Sequence, residues 1–573
     1  MRWFLRLLGA LAAGLALAVG LVFLIPSDRV AALASREFER ATGRAMSFSG
    51  EIRPTFWPPG ISTGPVAIAN APWSVEGPMA TAEDLRVGVA LWPLLRGEVR
   101  LAQMRILRPQ VILERDREGR LNWDTGRDSP GLPVARLSVS DGTVTFIDRP
   151  GGGRWTLSGL NADLTAPDPA GPARLDVEAE WQGLPFTLRA DLGEAAALAA
   201  GRVTGLRLAA EGHGITLAFD GRAGISPPAA EGRIDLALAD AGALGPALGL
   251  PPPGAPVPLA LTGQATWTAE RSAHLRDGRI TLAGAEIAAA ADLVTAGGRP
   301  RLEAELAAPQ VDLTPFLPQP SAADAWSPAP LPQGWLHPVD AEVGLAAGRL
   351  VLGPVEAGPV RLLGTLDRGR GVIALREFHA YGGELTGQLA MNARDGLSMG
   401  AELRATGIDL GGLSAALSGA ARITGRGEGE IRVIGTGNSL AAQMNALSGQ
   451  GRLALAEGEI RGLDLAGALQ GGGRAAATPF DRLAAGFRIA DGVLTSEDLV
   501  LSGAGLTTTG HGMIGIGPRT LNLRLEPVAS AAAGARLRVP VLIAGTWAAP
   551  QVRLGVASAA DEAVARERKR LEQ

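Results

Sequence analysis

Apolar and polar residues alternate one by one over long stretches of this 573-residue chain. In residues 173–192 the alternation continues on both sides of the pair Gln182-Gly183. A period of two places the apolar side chains on one face of a β-sheet and the charged side chains on the other. A two-residue break ending in glycine is a hairpin signal. The stretch therefore predicts two antiparallel strands that share one apolar face.

The same pattern recurs further along the chain, so the fold is predicted to be mainly β. The candidate residues on this apolar face, which would line a groove or a sandwich core, are Leu175, Val177, Trp181, Leu184, Phe186, Leu188, Leu206, Leu208, Ile215, Leu217 and Phe219. Acidic-glycine pairs predict further hairpin turns. These pairs are Asp141-Gly142, Asp277-Gly278, Asp395-Gly396 and Asp491-Gly492, with the weaker Glu118-Gly119 and Glu457-Gly458.

Few segments have a helical pattern. Residues 409–417 and 440–447 predict short helices, the second with Ser439 as its N-cap. A sheet that is apolar on one side must cover that side, and these helices are too few to do so. The strand pattern by itself leaves open a curled sheet with a groove and a set of ordinary β-sandwiches.

An uncharged apolar stretch, Leu7–Ile25, follows Arg2 and Arg6. As a helix it reaches about 28 Å, close to the thickness of a bilayer core. Residues 1–25 therefore predict one transmembrane anchor with a cytoplasmic N-terminus and an exported remainder. The alternative is a cleaved signal peptide. Residues 26–45 predict a short amphipathic helix at the membrane surface.

The composition narrows the function classes. The chain has no cysteine, which excludes disulfides, thiolate catalysis and cysteine metal sites. A net charge of −4 gives no sign of nucleic-acid binding. Seven of the 40 prolines lie in residues 315–338, and this Pro-rich stretch predicts a linker or strap. It would join a β region of residues 46–314 to a second of residues 339–557, before a charged C-terminal segment, 558–573.

Signals for catalysis are weak. The five histidines are widely spread, and the commonest explanation is unrelated surface or turn positions. The stretch Gly396–Gly400 matches the nucleophile-elbow pattern around Ser398, which needs a strand before it and a helix after it. Here a turn is predicted before Ser398 and a strand after it. We therefore predict no enzyme activity, no cofactor and no metal site.

Residues 91–123 contain a series of spaced motifs that resembles the AsmA family of bacterial inner-membrane-anchored proteins. The matching positions are Trp92, Pro93, Leu94, Gly97, Pro109, Asn122 and Trp123. Residues 435–465 and the stretches that follow them are similar to the same family. The resemblance thus involves both ends of the chain.

The resemblance implies an elongated, curled antiparallel β-sheet of repeated hairpins with an apolar groove, anchored in the inner membrane and exposed to the periplasm. It also implies a non-enzymatic role in outer-membrane biogenesis, with phospholipid passing through the groove between the two membranes. An outer-membrane or periplasmic protein is a further expected partner. The alternative is an interaction scaffold that regulates the assembly or targeting of outer-membrane proteins and carries no lipid.

Overall fold

The structure is a computed structural model. It describes residues 32–555 except 33–34, 37, 41, 97–99, 125–133, 169, 246–254, 318–324, 419–420, 464, 466–476, 504–505 and 530–539. Within this part no helix is long and apolar enough to cross a membrane. The predicted anchor (1–25) and the charged C-terminal segment (558–573) lie outside the described residues.

The chain divides into two compact units, which comprise residues 1–237 with 264–269 and residues 238–263 with 270–573. Both are built mainly from mostly antiparallel strands, which confirms the predicted class. The strands of the first unit are β1 (Met46–Phe48), β2 (Arg53–Phe56), β3 (Pro59–Thr63), β4 (Val66–Ile68), β5 (Ala80–Ala82), β6 (Asp84–Val89), β7 (Leu101–Leu107), β8 (Gln110–Arg115), β9 (Arg136–Asp148), β10 (Gly153–Thr165), β11 (Ala173–Trp181), β12 (Leu184–Leu192), β13 (Thr204–Gly212) and β14 (Ile215–Ile225).

Strands β15 (Pro228–Leu238) and β16 (Leu259–Trp267) have residues in both units. The strands of the second unit are β17 (Ser272–Leu282), β18 (Ala285–Val294), β19 (Arg301–Asp312), β20 (Asp340–Leu352), β21 (Val355–Ala357), β22 (Val360–Asp367), β23 (Arg370–Ala380), β24 (Gly383–Asn392), β25 (Ser398–Asp409), β26 (Arg426–Thr436), β27 (Ser448–Arg461), β28 (Ala477–Ala490), β29 (Val493–Gly503), β30 (Leu506–Gly515), β31 (Thr520–Ala529), β32 (Val541–Thr546) and β33 (Pro550–Leu554).

Helices are few and short in the described residues. Apart from helical residues at the N-terminal end, up to Thr42, they are α1 (Leu91–Leu95), α2 (Ala195–Ala199), α3 (Leu410–Ser418), α4 (Leu440–Asn445) and the 3-10 helices Ala241–Leu244, Thr314–Phe316 and Gly334–Leu336. The two predicted helices are confirmed as α3 and α4, and the Ser439 side chain accepts a hydrogen bond from the backbone N–H of Ala442. The described part of the predicted juxtamembrane helix is helical up to Thr42 and ends at Gly43, which has a φ of 67°.

Several glycines lie in hairpin turns, where a positive φ is needed. Gln182-Gly183 and Asp491-Gly492 have positive φ at both residues, as a type I′ turn requires. Asp395-Gly396 also joins two consecutive strands. Two further turns of the same geometry, His213-Gly214 and Tyr381-Gly382, were not predicted, because they lack an acidic residue before the glycine.

Three acidic-glycine pairs are not turns, and those predictions were wrong. Asp141, Asp277 and Glu457 lie inside the long strands β9, β17 and β27, each with a φ near 50°. A residue with positive φ inside a strand makes a β-bulge, which bends the strand without reversing it. The left-handed conformation that these pairs favour is therefore used for a bend at these positions.

Parallel pairs interrupt the antiparallel order. In the first unit, β7 and β8 both run parallel to β9, and the break between them falls at Arg108-Pro109, opposite the bulge in β9. In the second unit β19 and β20 are parallel. A parallel pair cannot be joined by a hairpin and needs a crossover. The Pro-rich segment 315–338 occupies that crossover.

The crossover segment is fixed to distant strands of the second unit. Trp326 donates a hydrogen bond from Nε1 to the carbonyl of Ile516 (2.8 Å), and the Arg519 guanidinium lies 4.1 Å from its ring centroid. Its ring also lies edge-on to that of Trp547. Further along, Leu331 donates its backbone N–H to the Asn438 carbonyl. The segment therefore acts as a strap within the second unit.

Three hydrophobic clusters form the described core of the second unit. The largest gathers residues of β18–β23 around Leu350 and Val360, each 1% exposed. The second surrounds Leu465 and Val541, and the third includes Leu455 and Leu501. Apolar strand faces are thus covered by neighbouring apolar side chains at these places.

Candidate functional site

The predicted groove residues of the first unit are brought onto one sheet face by the strand register. Val177 pairs with Leu188, and Trp181 pairs with Leu184. Leu208 pairs with Phe219 in the next pair of strands, β13 and β14. Because directly paired residues point to the same face, all eleven candidates lie on the face that we call the apolar lane, formed by strands β11–β14.

The apolar lane is not buried like the core of the second unit. Leu175, Val177, Phe186, Leu188, Leu206, Leu208, Leu217 and Phe219 are half-buried. Trp181, Leu184 and Ile215 are 39–44% exposed. The residues of this face that are buried are the small ones, Ala173, Ala179 and Ala190. Large aliphatic side chains that stay half-exposed along one face leave apolar surface free to contact another molecule.

The opposite face of the same strands carries ion pairs. Arg174 Nε lies 2.7 Å from Asp191 Oδ1, and this hydrogen bond raises the pKa of the Arg174 guanidinium. Asp176 and Arg189 are directly opposite each other in the register and form a second pair at 2.7 Å. These pairs are exposed, so they add little stability. They do keep the strand faces distinct, because a slip of one residue would turn these charges into the lane.

Aromatic rings extend the lane onto β9 and β10. Trp155 pairs with Phe146, and their rings stack with centroids 5.6 Å apart. Trp123 lies 6.1 Å from Phe146 on its other side. Since Leu157 of β10 pairs with Trp181, the two-residue period places Trp155 and Phe146 on the lane face. A bulge at Gly159 interrupts the alternation in β10, so the sequence pattern does not connect Trp155 to the lane.

The family-motif residues are structural in this fold. Asn122 is fully buried: its Nδ2 donates to Asn70 Oδ1 (2.9 Å) and to the Ile112 carbonyl (2.8 Å), and its Oδ1 accepts from the Glu114 backbone N–H (2.8 Å). Its own carbonyl accepts from Arg44, just after the N-terminal helix. Asn122 therefore ties the chain entry to the turn that follows β8.

The other motif positions lie around the same strands. Pro109 forms the break between β7 and β8. Trp92, Pro93 and Leu94 belong to α1, and Trp92 is 75% exposed. Gly97 lies outside the described residues. Pro109 and Asn122 thus lie among the first strands of the unit, whereas the lane begins further along the chain.

A family model for the AsmA family matches residues 1–140 and 362–499. The chain belongs to the AsmA family. The two matched segments contain the Asn122 motif at one end and strands β23–β28 at the other. A search of curated proteins gave no match, and a search of solved structures gave none either. The match thus confirms the family that the sequence motifs indicated.

One side-chain cluster of this AsmA family member has the connectivity of a catalytic triad. Ser272 Oγ lies 2.9 Å from His274 Nε2, and His274 Nδ1 lies 2.5 Å from Asp292 Oδ1. The exposure differs from that of a catalytic triad, in which the serine faces the substrate and the aspartate is buried. Here Ser272 is 8% exposed and the Asp292 side chain is 38% exposed. The carboxylate also binds Arg276 at 2.7 Å, and its pKa is lowered by His274 and Arg276. Ser272 and His274 belong to β17 and Asp292 to β18, so this cluster joins the two strands.

The nucleophile-elbow pattern has no elbow around it. Ser398 is the first residue of β25, and the chain continues as a strand to Asp409. Among the described residues, no group of three or more acidic or histidine side chains could hold a metal ion. The candidate site is therefore the apolar lane, which offers a surface without reactive groups.

Proposed function

We propose that this AsmA family protein is anchored in the bacterial inner membrane and is a passive conduit for phospholipid between the inner and outer membranes along apolar sheet faces, in support of outer-membrane biogenesis. The observation that carries the proposal is the half-exposed apolar lane of β11–β14. The family membership supports a place in the cell envelope. Catalysis is not part of the proposal.

The chemistry of the lane suits an acyl chain. Its residues are aliphatic or aromatic, and each methylene group that leaves water is worth about 0.8 kcal/mol. Successive strands lie about 4.8 Å apart, so the same surface repeats across the sheet. A lipid tail can then move from strand to strand with little change in free energy. Its polar headgroup would stay in water at the strand ends.

An Asp substitution in the lane tests the proposal. Leu188→Asp places a carboxylate at the centre of the lane, where it would keep water that an acyl chain must displace. The measured quantity is phospholipid that co-purifies with the full-length protein, per mole of chain. We expect the variant to carry several-fold less phospholipid than the parent protein.

Ala209→Asp is the matched control, because Ala209 is exposed on the opposite face of the sheet, in the neighbouring strand β13, where it pairs with Arg189. It adds the same charge to the sheet and should leave the phospholipid content unchanged. Equal phospholipid in both variants and the parent would refute the lane as a lipid path. That outcome would favour the alternative, an interaction scaffold in the assembly of outer-membrane proteins.

A further inference from the structure

Three tryptophans lie together at one end of the lane face. Trp181 is the last residue of β11, and Trp155 is near the start of β10. The Trp155 ring stacks on Phe146, and Trp123 lies on the other side of Phe146. Trp181 is diagonal to Trp155 on this face, because its direct partner is Leu157. We call Trp123, Trp155 and Trp181 the tryptophan end of the lane.

The opposite end of the same face is aliphatic. There Leu192 pairs with Leu206, and Leu206 pairs with Gly221. Strands β9–β14, all of whose residues the structure describes, contain no tryptophan at this end. The aromatic residue nearest to it is Phe219, which has no polar group. The two ends of the lane therefore differ in chemistry.

The indole rings at the tryptophan end combine apolar surface with available hydrogen-bond donors. The N–H groups of Trp326 and Trp547 donate to backbone carbonyls. By contrast, no group in the described part of the chain accepts a hydrogen bond from Nε1 of Trp123, Trp155 or Trp181. Such rings favour the boundary between an apolar phase and water, where the N–H can bond to water or to a headgroup.

The position of the Trp155 ring is fixed by a close approach to the strand end. A Cβ atom at Gly153 would lie 2.3 Å from a carbon of this ring, so the ring covers the glycine. The stack on Phe146, with centroids 5.6 Å apart, holds the same ring from the neighbouring strand. The tryptophan end is thus built into the sheet before any ligand arrives.

The lane is long enough for an acyl chain that lies along the strands. Eight residues separate Leu184, at the tryptophan end, from Leu192, at the aliphatic end. This corresponds to about 26 Å. One acyl layer of a bilayer is about 15 Å thick, half of the hydrocarbon core. A tail that starts at the tryptophan end would therefore finish inside the lane, among aliphatic side chains.

We propose that phospholipids lie in the lane in one orientation, with the headgroup at the tryptophan end and the acyl chains along the strands towards Leu192 and Leu206. The phosphate and ester oxygens accept hydrogen bonds from the indole N–H groups. Lipids then move sideways from strand to strand without turning round. This inference rests on the proposed conduit, to which it adds the direction in which the bound lipid points.

The absence of cysteine allows a direct test with single-cysteine variants of the full-length chain. Leu184→Cys marks the tryptophan end and Leu206→Cys the aliphatic end, each labelled with a nitrobenzoxadiazole fluorophore. The proteins are reconstituted into vesicles that contain phosphatidylcholine with a nitroxide either on the headgroup or at the methyl end of one acyl chain. Both nitroxides quench nearby fluorophores. Ala209→Cys, on the opposite face of β13, gives the background quenching.

We expect the headgroup nitroxide to quench Leu184→Cys at least twofold more than the acyl nitroxide does, and the reverse at Leu206→Cys. If the ratio of the two is the same at both positions, or larger at Leu206→Cys, the orientation is overturned while lipid binding stands. If neither probe quenches either position above the Ala209→Cys background, lipid binding in the lane is refuted together with this inference.

A second set of variants tests the tryptophans themselves. Trp155→Leu combined with Trp181→Leu keeps the lane apolar but removes two indole N–H groups. The ratio at Leu184→Cys should then fall towards one. Phe219→Leu is the matched control, because it removes an aromatic ring without an N–H, and it should keep the parent ratio. An unchanged ratio in the double variant would overturn the role of the tryptophans.

Discussion

Replacing Asn122 should loosen the first strands of the protein without touching the apolar lane. Asn122→Ala removes three hydrogen bonds of 2.8–2.9 Å from a fully buried position. Each is worth about 1 kcal/mol net, and the partners left behind cannot reach water. The expected loss is about 3 kcal/mol of local stability. Since 1.4 kcal/mol corresponds to a factor of ten, the region should open about 100-fold more often.

Hydrogen exchange followed by mass spectrometry measures this opening locally. Peptides that cover residues 110–123 should exchange about 100-fold faster, and peptides from the second unit should not change. Asn161→Ala is the control, since Asn161 is exposed and its side-chain oxygen accepts one backbone hydrogen bond. It should alter exchange only around Asp141. Exchange of residues 110–123 within threefold of the parent protein would contradict the assigned role of Asn122.

Three further predictions concern the second unit. Trp326→Ala should lower the free energy of unfolding in urea by about 3 kcal/mol, because a hydrogen bond and a cation–π contact are lost. Trp335→Ala is the control and should cost much less, because Trp335 Nε1 donates only to the nearby Pro332 carbonyl. A hydrogen bond from the Arg368 backbone N–H lowers the pKa of Asp340, so the stability of the second unit should fall as the pH drops below 3.8. Asp340→Asn should weaken this acid sensitivity. Equal pH dependence in the variant and the parent protein would refute the role of Asp340. Ser272→Ala should leave the co-purified phospholipid unchanged, and a loss would refute a purely structural role.

The lane could be predicted because its information is local. The alternation in residues 173–192 and the Gln182-Gly183 turn fix both the strand faces and the hairpin register, and the structure has both as predicted. Whether the lane binds lipid remains a prediction. The half-exposure of its side chains depends on what lies above the sheet, which no single strand encodes.

Other features depend on distant partners and could not be read from local sequence. Asp141-Gly142 and Asp491-Gly492 look alike, yet the first is a bulge and the second a turn. The difference lies in the neighbouring strands, since β9 stays paired on both sides of its bulge. The parallel pairing of β19 and β20 is likewise set by a crossover whose Trp326 contacts Ile516 far along the chain. The alternation of apolar and polar residues does not distinguish a bulge from a turn, and it does not show which strands pair in parallel.

The central claim, that acyl chains lie on one face of the sheet, is tested most directly by photo-crosslinking along one strand. A benzophenone amino acid is placed in turn at each position from Leu184 to Leu188 of β12, and phospholipid adducts are measured by mass spectrometry after irradiation in cells. The account predicts adducts at Leu184, Phe186 and Leu188 and few or none at the two positions between them. Equal adduct yields at all five positions, or none at any, would contradict it.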